Sequence, residues 1–109
     1  MDAARENIIQ LRLKREQLQK RVNELAFAGE VAFSDHALDR MVERSITDIQ
    51  VERALRTGEI RGEVEPGRRE GEWKCKIVER MKGQREIGVV TIVLRNARLF
   101  IKTVEWEDL

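Results

Sequence analysis

Apolar residues recur every three or four positions through residues 3–27, at Ala4, Ile8, Leu11, Leu18, Val22 and Leu25. That spacing predicts one long amphipathic helix with a heptad seam, interrupted at Arg15. No glycine or proline breaks the run, and at about 1.5 Å per residue it predicts a rod of roughly 35 Å. Arg5, Arg12, Lys14, Glu16, Lys20 and Glu24 crowd its other sides. The seam therefore calls for cover, either from the remainder of this chain or from another chain, including a second copy in a homodimer. Gly29 supplies the stop.

The segment from Phe33 to Gly58 carries the punctuation of two short helices. Ser34 is a natural N-cap, Asp35 suits the positive end of the helix dipole, and Ala37, Leu38, Met41 and Val42 predict an inward stripe ending near Ser45. Thr47 followed three residues later by Gln50 is a capping box, with Ile46 and Val51 as its hydrophobic staple. Val51, Ala54 and Leu55 continue the buried face, and Gly58 closes the helix as a C′ residue.

Beyond Gly58 the period changes from helical to alternating. Ile60 and Val64 predict a short edge strand ending at Pro66, followed by the polar loop PGRREGE. Trp73, Cys75 and Ile77 predict the buried side of the next strand. Residues 87–94 are apolar on both faces, as in a central strand. In the last strand Phe100, Val104 and Trp106 alternate with Ile101 and Thr103. The order predicts a single α+β domain over residues 1–109: an N-terminal helix (1–29), a helix pair (33–58) and a four-stranded antiparallel meander (59–107).

Composition narrows the class. The 109 residues suffice for one core, and 41% hydrophobic against 38% charged residues predict a folded domain with a dense charged surface. No apolar run approaches the roughly 20 residues of a membrane span, and the start lacks a secretory pattern, so the expected setting is the cytoplasm with no membrane partner. One cysteine excludes an internal disulfide framework, and one histidine with one cysteine argues against structural zinc. No glycine-rich phosphate loop, HExxH or CxxC occurs, and the expectation is no metal and no cofactor.

The net charge of +1 conceals a division along the chain. Residues 1–29 hold six basic and four acidic side chains, residues 30–65 five and nine, residues 66–109 ten and seven. A near-neutral total does not by itself advertise nucleic acid.

Two groups of side chains carry candidate chemistry. His36, Arg40 and Arg44 stand at i, i+4 and i+8 on one helix face. Imidazole moves protons near neutral pH and guanidinium holds phosphate oxygens, so this is a workable set for phosphate chemistry. Asp39 and Glu43 lie close enough to pair with these arginines, and His36 is also suited to capping or packing. The second group, Lys74, Lys76 and Lys102, shares a sheet face, with Arg68 and Arg69 in the loop before it. Together they offer a cationic surface for an RNA backbone or simply a wet sheet face. Trp73 and Trp106 suit the core, and Cys75, inside an apolar strand, suits a buried thiol.

The run FSDHALDRMVERSIT, then TDIQVERALRTGEI and the final IKTVEWEDL, resembles a family of small uncharacterised bacterial and phage proteins over residues 33 to about 107. The pattern is met by His36, Ala37, Arg40, Met41, Arg44 and Ile46. That family looks related to BrnT-type toxins and, more distantly, to the RelE-like ribonuclease fold. The resemblance implies metal-independent RNA cleavage by attack of the 2′-hydroxyl on its phosphate. His36 would be general base or acid, Arg40 and Arg44 would bind the phosphate, and Lys74, Lys76 and Lys102 would hold the substrate. An antitoxin protein would mask the site. The alternatives are a noncatalytic interaction module with a self-associating N-terminal helix and a nucleic-acid binder without turnover.

Overall fold

Residues 3–108 are described by a computed structural model, with side-chain environments described from Lys14 onward. The uninterrupted first pattern forms α1 (Ala3–Phe27). It ends where Gly29, at φ +76°, lets the Glu30 amide donate to the Leu25 carbonyl and the Gly29 amide to that of Ala26. Leu18, Val22 and Ala26 are buried in the chain's own core, so the C-terminal half of the seam is covered from within. Ala4, Ile8 and Leu11 lie outside the described side chains.

Arg15, which interrupts the seam, is a fastening point together with the next two residues on its face. Its guanidinium donates to the carbonyls of Ile60 and Gly62 at 2.8 and 2.5 Å. One turn on, Gln19 donates to the Gly58 carbonyl and accepts from the Ile60 amide, both at 2.6 Å, and Asn23 donates to the Leu55 carbonyl at 2.7 Å. A polar stripe at i, i+4 and i+8 thus ties α1 to the chain around residues 55–62.

After α1 come β1 (Val31–Phe33), α2 (Asp35–Arg44), α3 (Asp48–Thr57), β2 (Glu59–Pro66), β3 (Trp73–Arg80), β4 (Glu86–Val93) and β5 (Leu99–Trp106). The sheet has five strands in the order β1-β5-β4-β3-β2. The expected antiparallel four are present with β4 central. The sheet is mixed because β1 adds parallel to β5, pairing Val31 with Leu99 and Phe33 with Ile101. Three residues between a helix stop and an N-cap carry too little periodicity to announce a strand; pairing along the free edge of β5 makes them one.

The α2–α3 pair follows its caps. Ser34 and Thr47 cap as expected, the Thr47–Gln50 box is reciprocal, and Ile46 and Val51 are buried. The α2 stripe is narrower than its pattern predicts: Ala37 and Met41 are buried, while Leu38 is 46% and Val42 83% exposed. Ala37 and Met41 alone form the line of α2 that packs into the core beside β5. Gly58 is an extended C-cap at φ −78°, not a left-handed C′ residue. Its lack of a side chain serves close packing: a Cβ there would lie 2.4 Å from the Ala54 carbonyl oxygen and 2.8 Å from that of Val78.

One sheet face is closed by Ile77, Ile87, Val89, Val104 and the helices above them. The opposite face, with Lys74, Lys76, Val90, Ile92 and Phe100, is half-exposed. Trp73 and Trp106 pack at the margin of the core, as their alternation predicts.

Candidate functional site

The site begins with an irregularity in β5. Thr91 pairs with Ile101 and Val90 with Thr103, leaving Lys102 as an extra residue with no cross-strand partner. Such a bulge shifts the alternation of every following side chain. Leu99, Ile101 and Val104 therefore share the core side, and Phe100 does not point with Val104 as simple alternation predicts.

Ser34 fixes the bulge to α2. Its amide donates to the Ile101 carbonyl at 3.0 Å, and its hydroxyl donates to the Lys102 carbonyl at 3.0 Å while accepting from the Ala37 amide at 2.9 Å. One side chain thus caps the helix and binds the bulge, which sets His36, in the first helical turn, beside Lys102.

Between these elements lies a groove of about 600 Å³ on the open sheet face. Ser34, His36 and Lys102 form one wall. Lys74, Arg68 and Glu65, from β2, β3 and the loop between them, form the other, with Ile92, Leu94 and Phe100 as floor. Lys74 approaches Glu65 at 3.9 Å, an exposed and therefore weak pair that leaves its ammonium available to an anion. The groove combines one imidazole, three cations and an apolar floor.

The remaining sequence-derived site residues are elsewhere engaged. Arg40 pairs with Glu43 on the helix surface. Arg44 donates to the Val104 carbonyl at 2.5 Å, and its own carbonyl accepts from the Trp106 indole at 2.8 Å, which clamps the end of α2 to β5. Neither lines the groove. The physical reason is axial rise: eight residues of helix span about 12 Å, so a collinear His36–Arg40–Arg44 face does not converge on one phosphate. Lys76 reaches Glu107 at 2.6 Å and Glu105 at 3.9 Å. Gly88 makes room for that cluster, since a Cβ there would lie 2.6 Å from a Glu107 carboxylate oxygen.

Sequence reasoning overlooked Phe100 as groove floor and Ser34 as more than a cap. The signal for Phe100 was the consecutive apolar run Leu99–Phe100–Ile101, in which one member must leave the core side. Cys75 is buried, and burial pushes its thiol up to about 12, the charge of Arg15 opposing this. Among the described residues no group of three His, Cys, Asp or Glu side chains is arranged to hold a metal ion, and no helix is long and apolar enough to cross a membrane.

Architecture and groove together define an α+β domain with a mixed five-stranded sheet, helices against one face and a cationic, apolar-floored cleft on the other. The chain belongs to the family described as Domain of unknown function (DUF4258), which matches residues 33–106. Comparison with curated proteins and with solved structures gives no match. The matched segment contains every residue of the groove and leaves α1 outside.

Proposed function

We propose that the groove binds single-stranded RNA and that His36 cleaves it without a metal. The observation that carries this is the convergence of His36, Lys74 and Lys102 on one cleft with an apolar floor, although His36 and Lys74 stand 38 positions apart in the chain. The resemblance of residues 33 to about 107 to a family that looks related to BrnT-type toxins and, more distantly, to the RelE-like ribonuclease fold supports the same chemistry. In the reaction the imidazole of His36 removes the 2′-hydroxyl proton, and the 2′-oxygen bonds to the adjacent phosphorus. The bond from phosphorus to the 5′-oxygen breaks, and that oxygen takes a proton from solvent in the open groove. The products are a 2′,3′-cyclic phosphate and a 5′-hydroxyl. Lys102 and Lys74 offset the charge that grows on the phosphoryl oxygens, while Arg40, Arg44 and Lys76 serve the fold.

Purified protein acting on mixed RNA in EDTA tests this. His36→Ala lowers the rate by about 10² to 10⁴, and Lys102→Ala by roughly 10², while Arg40→Ala stays near wild type. RNA left intact by folded wild-type protein ends the catalytic assignment. A second reading, binding without turnover, is favoured by the floor itself, since Phe100 between cations is the arrangement of a base-stacking platform. It is recognised by salt-dependent affinity for RNA that survives His36→Ala with no products formed.

A further inference from the structure

The groove is not isolated. Arg68, Glu72, Leu94 and Phe100 also line a neighbouring hollow of about 450 Å³, which adds Arg69, Arg95 and Asn96. Leu94 and Arg95 in turn line a third, of about 260 Å³, which adds Lys14, Arg21 and the edge of Trp73. The shared residues join the three into a furrow that runs from the open sheet face, over the end of the sheet at the loops around residues 67–72 and 94–98, to α1 on the helix-covered face.

Both loops are built to hold their arginines outward. The Gly67 amide donates to the Glu72 carbonyl at 2.7 Å and the Leu94 amide to the Arg98 carbonyl at 2.9 Å. At Gly71, with φ +85°, a Cβ would lie 3.4 Å from Cγ of Arg95, so the arginine stem rests across the neighbouring loop. Arg68, Arg69 and Arg95 form no ion pair among the described residues. Lys14 stacks its ammonium 3.7 Å from the Trp73 ring centroid.

Charge is sharply localised along this path. Seven Lys and Arg side chains line it against two carboxylates, Glu65 and Glu72, in a chain whose net charge is only +1. The near-neutral total therefore conceals a basic furrow balanced by acidic surface elsewhere. An extended polyanion meets cations along the whole furrow, and its planar groups meet apolar surface at Phe100 and Leu94.

We infer that the furrow is one binding track for single-stranded RNA, with His36 at one end and Arg69, Arg95, Arg21 and Lys14 holding the flanking backbone. The track rests on the assignment of the groove to RNA and adds to it a length requirement and an anchor remote from the reacting phosphate. RNA several nucleotides long then binds far better than a fragment that fills the groove alone. The N-terminal helix, outside the family's matched segment, becomes part of the substrate surface.

The test measures fluorescence anisotropy of a labelled 2′-O-methyl uridine dodecamer, which lacks the attacking hydroxyl, and of the matching trinucleotide. The proteins are wild type, Arg69→Glu/Arg95→Glu, and the control Arg53→Glu/Arg80→Glu, which makes the same charge change away from the furrow. Loss of two phosphate contacts weakens dodecamer binding about 25-fold near 0.1 M salt and lowers the log–log salt slope by about 1.4. Trinucleotide binding is unchanged by the furrow substitutions, and the control loses less than about threefold at that salt. Equal losses in both double variants, or trinucleotide binding with no gain from length, overturn the track and leave the groove assignment standing. Displacement of the dodecamer by oligoglutamate of equal charge, or tighter binding of a DNA dodecamer, also overturns it. No binding of either RNA by wild type removes both.

Discussion

Replacing Ser34 with alanine removes two hydrogen bonds at the junction that holds the site together. The hydroxyl accepts from the Ala37 amide at 2.9 Å and donates to the Lys102 carbonyl at 3.0 Å, whereas the bond from the Ser34 amide to Ile101 persists. Loss of an N-cap costs about 1 kcal/mol, and a partly solvated second hydrogen bond adds about 0.5 kcal/mol because water reaches the freed carbonyl. With an unfolding entropy of about 2.1 cal/mol/K per residue, a loss of about 1.5 kcal/mol lowers the melting temperature of a chain this size by roughly 7 °C. Ser34→Asp keeps the cap acceptor and loses the donor to Lys102, so it melts between wild type and Ser34→Ala. Ser34→Thr restores both bonds. Differential scanning calorimetry gives the order, and the proposed binding of RNA in the groove follows it, since the same serine ties the start of α2, with His36, to the backbone of Lys102. A melting temperature for Ser34→Ala within about 1 °C of wild type would refute the energetic role assigned to this serine.

Gly58→Ala forces a Cβ to within 2.4 Å of the Ala54 carbonyl oxygen and costs about 2 to 3 kcal/mol through displaced backbone, measured as a lower urea midpoint. Gly62→Ala, at φ +82° in open space, carries only the dihedral penalty of about 1 kcal/mol, and an equal loss at both glycines would contradict the packing account. Hydrogen bonding and charge from Arg61 hold the Glu86 carboxyl below the usual carboxylate range. A depressed carboxyl contributes stability that is present above its unfolded value, near pH 4, and is lost as pH falls through its folded value. Glu86→Gln therefore flattens the acid limb of urea midpoint against pH below about pH 5, and an unchanged limb shows that the pair adds nothing. Cys75, buried with its thiol pushed up to about 12, stays unreactive toward a disulfide reagent at pH 8 until the protein unfolds. Labelling faster than unfolding contradicts its burial.

Local signals were legible wherever one element decides its own geometry. The Ser34 cap, the Thr47–Gln50 box, the Gly29 stop and the apolar centre of β4 depend on neighbours within a few residues, and each forms as its pattern predicts. The residue types of the groove were legible too, because His36, Lys74 and Lys102 are the chain's own chemistry. Tertiary structure alone decided their company. Pairing along the edge of β5 turned Val31–Phe33 into a strand, and one unpaired residue, Lys102, reversed the faces of the strand beyond it. Helical rise separated His36 from Arg44, while sheet order placed it across a cleft from Lys74. Pattern reports which face a residue takes within its own element. Convergence of side chains from different elements depends on register and on the strand to which a helix is tied, and those are set by long-range pairing.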